Sequence, residues 1–303
     1  MSEIVVTEGL GKQYGRVRAV QDVTLTVSEG SIFGIVGTNG AGKSTFLSML
    51  LGLTRPSEGR ARVLGSDVMD RFGTYRERVG FVTDQDYFFR QFSVRDMIAW
   101  GRRTWPRWDD VRCRQLLASF ELPANRPVRS LSKGMRVQLA FVSALSLRPE
   151  VLILDEATSG LDAVVKRQIL QLIVQEAASG VTVVMATHDL AGLERIADRV
   201  AFFHEGRVVL QTSTEEAKRE MRRIQVVFPG GLPDALRTAP GVLRVEESGS
   251  VYNVIVETEA DKVAELCRQH GPVYMEELEV DFEELFVHIM HKEGYAREEF
   301  LLA

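Results

Sequence analysis

Apolar positions recur along the chain with two different periods. Ile4–Thr7 and Val20–Val27 alternate apolar with polar, as strands with one buried face do. Ser31–Val36 is a short apolar run, and Arg60–Leu64 and Val79–Thr83 are further short strand candidates. Val151–Leu154 and Val181–Thr187 are nearly continuous apolar runs, the signature of strands buried on both faces. Between them the period lengthens toward that of a helix, at Ser44–Leu51, Val164–Ala178 and Leu190–Ile196, and over most of residues 87–147. Val200–Phe203 and Arg207–Gln211 read as a hairpin closed by Glu205-Gly206. Strands alternating with helices predict an α/β core built on a parallel sheet.

The pattern changes after Arg223. Strand candidates Ile224–Phe228, Val242–Val245, Val251–Glu257 and Tyr274–Val280 mix with helix candidates Leu232–Ala239, Ala260–His270 and Phe282–His291. This predicts a small α+β domain over 221–303, after a main domain over 1–220. The charged stretch Glu215–Arg223 reads as the connecting helix.

Charge adds to this division. Residues 1–220 hold 29 basic and 26 acidic side chains, whereas 221–303 hold 8 and 16, for a net −5 overall. An acidic tail disfavours a phosphate backbone, so nucleic acid is not an expected partner. Cys113 and Cys267 stand far apart, in no metal-ligand spacing, and two free thiols fit a reducing cytosol. The start, MSEIVVTEG, lacks the charged-then-apolar layout of a signal peptide. No stretch approaches the ~18 apolar residues that span a bilayer, so work at a membrane would require docking through another protein.

The first chemical motif is Gly37-Thr38-Asn39-Gly40-Ala41-Gly42-Lys43-Ser44-Thr45, which fits the phosphate-binding spacing G-x-x-x-x-G-K-[ST] between a strand and a helix. Its glycines let successive backbone N–H groups turn inward on phosphate oxygens, and the following helix aims its positive end at the same anion. Lys43 supplies a point charge to the outer phosphates, and Ser44 a hydroxyl to Mg²⁺. The second motif is the run Val151–Leu154 ending in Asp155-Glu156. A buried strand delivers both carboxylates at its carboxyl end, where such sheets place ligands. Asp155 would hold Mg²⁺ and Glu156 would act as general base on the attacking water.

Phosphate loops occur in many motors. The discriminating element is Leu131-Ser132-Lys133-Gly134-Met135, which resembles the signature motif of ABC ATPases. In that family the signature serine and glycine bind the γ-phosphate held by the opposite subunit, and Ser132 and Gly134 match those positions. Lys133 and Met135 depart from the commonest form. Ser159-Gly160-Leu161-Asp162 resembles the loop that couples the two ATP sites. His188 resembles the histidine that contacts the γ-phosphate, and Tyr14 the aromatic that stacks on adenine. Ala157 replaces a common proline. The γ-phosphate-sensing glutamine of the family should follow Val79–Thr83, where Asp84 falls on the position and Gln85 comes next; either would serve the phosphate and the metal.

The resemblance covers residues 3–220. It implies a P-loop NTPase of the ABC type with a helical subdomain near 87–147, binding ATP and Mg²⁺ and hydrolysing the ATP. It also implies head-to-tail pairing with itself or a homologous ATPase subunit, and a separate integral membrane permease. The expected location is cytoplasmic, on the inner face of the plasma membrane. Seven of the 24 aromatics lie between Tyr87 and Trp108, in the subdomain that in ABC transporters receives a helix of the membrane subunit. They serve that contact, the subdomain's own core, or both. Asp281-Phe-Glu-Glu-Leu-Phe286 resembles a segment of bacterial export ATPases, which favours export. The competing reading is a soluble ABC ATPase of the cluster-assembly kind.

Overall fold

The computed structural model describes residues 2–84 and 88–292, without the side chains of 218–220, 291 and 292. The chain divides into two compact units, Met1–Gln211 and Thr212–Ala303.

The first unit opens with β1 (Glu3–Tyr14), β2 (Val17–Ser28), β3 (Ile32–Gly37), α1 (Lys43–Leu50), β4 (Glu58–Val63), β5 (Ser66–Asp67) and β6 (Val79–Thr83). The helices α2 (Val94–Thr104), α3 (Asp110–Ser119) and α4 (Lys133–Leu145) follow. Then come β7 (Val151–Asp155), α5 (Ala163–Ala178), β8 (Thr182–Thr187), α6 (Leu190–Glu194), β9 (Arg199–His204) and β10 (Arg207–Ser213).

The continuous apolar runs build the centre. Strands order β10-β9-β3-β8-β7-β6 in a six-stranded sheet, and β9, β3, β8, β7 and β6 pair in parallel. Every residue of β3 and β8 is buried, as expected of strands covered on both faces. Register does the positioning. Val36 lies beside Thr187, Asp155 beside Ala186, and Thr83 beside Asp155. The loops after β3, β8, β7 and β6 therefore leave the sheet at one level.

A second sheet, ordered β2-β1-β4-β5, is antiparallel and was not legible as a separate layer in the sequence. Its inner residues Val5, Leu10, Val23, Leu25 and Val63 share a core with Phe33 and Ile35 of β3 and with Phe46, Leu47, Met49 and Leu50 of α1. Several register shifts interrupt β1, which is why its alternation reads only as far as Thr7 although the strand runs to Tyr14. The helical subdomain is tied to the rest of the unit by ion pairs. Arg112 of α3 bonds Glu176 of α5, and Arg107 lies 3.4 Å from Glu150.

The second unit holds α7 (Thr214–Glu220), β11 (Arg222–Val227), α8 (Asp234–Arg237), β12 (Val242–Ser248), β13 (Val251–Val256), α9 (Ala260–Gln269), β14 (Tyr274–Glu279) and α10 (Phe282–Lys292). Its sheet, β12-β13-β11-β14, is antiparallel throughout. Ile224, Val226, Val254 and Val256 pack with Leu236, Val263 and Cys267 of the helices. Two sequence expectations are corrected here. The helix expected over Glu215–Arg223 stops at Glu220, because Arg222 and Arg223 pair with Val256 and Ile255 as the start of β11. The helix expected over Leu232–Ala239 is a single turn.

Candidate functional site

The loop after β3 is shaped by close approach. A Cβ on Gly37 would sit 2.4 Å from the Phe203 carbonyl oxygen, and one on Gly42 2.2 Å from that of Ala19. Gly42 also has φ +100°, which L side chains rarely adopt. No side chain caps α1 at Gly42, so its first N–H groups are left for an anion. Asn39 to Thr45 line a cavity of about 210 Å³ with Ala19 and Glu156. Buried Lys43 donates to the carbonyl oxygens of Gly37 (2.7 Å) and Thr38 (3.1 Å). Burial lowers its ammonium pKa, and the nearby Glu156 and Asp155 carboxylates oppose that shift.

The acid pair meets this loop across the sheet. Ser44 Oγ donates to Asp155 Oδ1 at 3.0 Å. Burial raises the Asp155 carboxyl pKa; the Ser44 bond opposes the shift, and the charges of Glu156 and Asp84 add to it. Glu156 is in a left-handed conformation, φ +52°, held by its N–H on Ala186 O at 2.9 Å. Such a non-glycine residue stores on the order of 1 kcal/mol or more of strain, and these residues cluster at working sites. The turn sets the Glu156 carboxylate between Lys43 Nζ at 3.9 Å and His188 Nδ1 at 2.7 Å. The Asp84 N–H donates to Asp155 O at 3.1 Å. Gln85 lies outside the described residues.

The hydroxyl of Ser44 and the carboxylate of Asp155 are hard oxygen donors side by side. That suits Mg²⁺, which takes one or two protein ligands and completes its shell with phosphates and water. Among the described residues no group of three His, Cys, Asp or Glu forms a protein-only metal cage.

Ser132, Gly134 and Asp162 form a separate cluster and do not line the phosphate-loop cavity. Ser132 caps α4 by accepting the Met135 N–H at 3.2 Å, and Asp162 caps α5 by accepting those of Val164 and Val165 at 3.0 Å. A Cβ on Gly134 would lie 3.4 Å from Val165, so the two helix starts adjoin. Tyr14 is half-exposed at the end of β1, with Lys12 Nζ 4.9 Å above its ring. Sequence reading missed Ala19, whose carbonyl shapes the cradle, because a small residue on an alternating strand carries no signal.

The aromatics of the helical subdomain divide into three groups. Trp108 packs over Gly101, where a Cβ would meet its ring at 2.5 Å, and donates to Asp110 at 3.1 Å. Phe89 and Trp100 are 45% and 41% exposed and meet edge to face at 5.7 Å. Phe88 and Trp105 line a largely apolar cavity of about 380 Å³ between β6 and α4, with Leu53, Phe81 and Val137. Tyr87 lies outside the described residues.

A phosphate cradle, an acid pair and a histidine at the carboxyl end of a parallel sheet, with a separate serine-capped helix start, define an ATP-binding cassette. The family model for ABC transporters matches residues 20–159. The chain is 28% identical to the ABC transporter ATP-binding protein YtrB of Bacillus subtilis (strain 168), over 92% of this chain and 95% of that protein. It is 31% identical to the Nod factor export ATP-binding protein I of Rhizobium leguminosarum bv. viciae, over 94% of each. The dimeric structure of MJ0796, a bacterial ABC transporter cassette, superposes with a TM-score of 0.64 and 25% identity, covering 70% of this chain and 99% of that one. The chain belongs to the ABC transporter family as an ATP-binding subunit, and its activity is transport-coupled ATP hydrolysis. Among the described residues no helix is long and apolar enough to cross a membrane.

Proposed function

We propose that two copies of this chain, or this chain and a homologous subunit, close head to tail around two Mg·ATP and drive an exporter through a separate membrane permease. The observation that carries this reading is the separation of the two half-sites. Lys43, Ser44, Asp155, Glu156 and His188 converge at the carboxyl end of the central strands. Ser132 and Gly134 lie at the start of α4, outside that cavity. A second copy supplies the missing half: its α4 start, with a hydroxyl that can still donate its proton and with helix N–H groups, meets the γ-phosphate.

In each site Lys43 and the loop N–H groups bind the β- and γ-phosphates, and Tyr14 stacks on the adenine. Ser44 and Asp155 would hold Mg²⁺, with Asp84 beside them, and the ion would supply positive charge against the phosphate oxygens. Glu156 accepts the proton of the attacking water as its oxygen bonds to the γ-phosphorus, ADP leaving with the bond electrons. His188 holds the Glu156 carboxylate in place and reaches the same phosphate. Asp162 fixes the start of α5 at the dimer face.

The cavity between β6 and α4 suits a short apolar helix of the permease, since its aromatic walls are anchors of the kind interfaces use. Export is favoured by the relative named for Nod factor export and by the Asp281–Phe286 segment. The domain over 221–303 is the accessory part. Co-purification from native membranes tests the partner: an integral membrane protein should accompany the chain. Recovery of the chain from the soluble fraction with cluster-assembly proteins instead would favour the soluble ATPase.

A further inference from the structure

Two residues that depart from the commonest ABC pattern, Asp84 and Lys133, line the same cavity. Their nearness follows from the packing of α4 on β6. The Glu150 N–H, just past α4, donates to Arg78 O at 2.8 Å, just before β6. A Cβ on Gly80 would lie 3.4 Å from that of Ala144. From that contact β6 advances four residues to Asp84, ~13 Å at ~3.3 Å each. The helix runs back eleven residues to Lys133, ~16 Å at ~1.5 Å each. Strand and helix are antiparallel, so the two side chains end at one level.

Their charges are complementary and not yet committed elsewhere. Lys133 makes no hydrogen bond or ion pair among the described residues. Its Nζ rests against Gly160, where a Cβ would lie 2.7 Å away. Arg136, the neighbouring cation on this wall, already donates to Leu131 O at 2.7 Å. Asp84 accepts from Thr83 Oγ1 at 3.2 Å and stands beside Asp155, in a group of carboxylates that also includes Glu156. A third acid so close to the pair is stabilised by a cation drawn toward it.

We propose that Lys133 and Asp84 close into an ion pair that ties the signature end of α4 to the end of β6 as ATP draws two copies together. Lys133 is then a positioning residue. It sits where α4, the Ser159–Asp162 loop and the cavity meet, so the pair sets the angle at which Ser132 and Gly134 face the opposite ATP. The inference rests on the ATP-driven pairing proposed above.

The test measures the Mg·ATP-dependent dimer dissociation constant by sedimentation, in a Glu156→Gln background that retains ATP. Lys133→Gln and Asp84→Asn should each weaken dimerisation roughly two- to five-fold, the range for an exposed pair. The double variant should be no weaker than the more affected single one, and Lys133→Arg should keep the parent value. Multiplying effects in the double variant, or no effect of Lys133→Gln, overturns the pair. A parent that stays monomeric with Mg·ATP overturns the pairing itself, and the inference with it. A second measurement does not depend on dimerisation. Cysteines at 84 and 133 should be joined by a short bifunctional thiol reagent in the nucleotide-free chain, and failure to join also overturns the proposal.

Discussion

His188 Nδ1 lies 2.7 Å from Glu156 Oε2, although 32 residues separate them in sequence. The contact exists because β7 and β8 pair in parallel with Asp155 beside Ala186, which brings the first residue past each strand together. In the proposed mechanism it joins the residue assigned to take a proton from water to the residue assigned to reach the phosphate. Glu156→Gln is expected to lower kcat by about 10²–10⁴ while leaving ATP affinity within a few-fold. His188→Ala should fall in the same direction with little change in KM. Single-turnover hydrolysis and nucleotide binding on the same samples separate the two effects; a lost ATP affinity in Glu156→Gln would speak against the role of base.

The phosphate loop makes a sharper structural prediction. Gly42 and Gly40 both have positive φ, +100° and +83°, but only Gly42 faces a carbonyl oxygen where a Cβ would go. Gly42→Ala should cost at least about 2 kcal/mol and abolish ATP binding. Gly40→Ala, with open space around it, should cost about 1 kcal/mol and only weaken binding. Thermal melts with and without ATP decide it, and equal losses at both positions would count against the cradle geometry.

The aromatic residues separate docking from stability. Trp108→Ala removes packing over Gly101 and a hydrogen bond, so it should lower stability by about 2 kcal/mol. Phe88→Ala and Trp105→Ala empty a cavity wall instead, and should reduce membrane recruitment several-fold with ATPase activity of the isolated chain retained. Fractionation of cells expressing each variant, beside melts of the purified proteins, measures both. Loss of folding in Trp105→Ala without loss of recruitment per folded molecule would reverse the assignment.

Each unit carries one buried thiol that reports on its integrity. Burial pushes the Cys267 pKa up to about 11, and burial also raises that of Cys113. The reactive thiolate of Cys267 is therefore about one part in a thousand at pH 8. Labelling should be slow in the folded protein, should accelerate as pH rises toward 11, and should be immediate on unfolding. Mass spectrometry of the labelled peptides across a denaturant series follows the two units independently. Fast labelling of Cys267 at pH 8 in the native state would contradict the packing of α9 on its sheet.

Much of the cassette was legible because its signals are local. The apolar runs Ser31–Val36, Val151–Leu154 and Val181–Thr187 read directly as buried strands, and a glycine-rich loop with Lys43-Ser44 between strand and helix has one sensible chemistry. What stayed hidden depends on contacts distant in sequence. The antiparallel layer on β1 and β2 was blurred by bulges that break alternation. The end of α7 is set by pairing of Arg222 with Val256 and Glu279, which overrides a helix-favouring run. The left-handed turn at Glu156 comes from a hydrogen bond to Ala186 on another strand, and the placing of Lys133 and Asp84 along one cavity comes from the packing of α4 on β6.

The central claim, that one active site is built from two chains, is tested most directly by mixing two inactive variants. Lys43→Ala removes the loop's phosphate-binding ammonium, and Ser132→Arg blocks the signature. Each alone should hydrolyse almost no ATP. A one-to-one mixture contains heterodimers with one intact composite site, and steady-state ATPase should recover to about a quarter of the wild-type rate. Full specific activity in a proven monomer, or no recovery in the mixture at any concentration, would contradict the account.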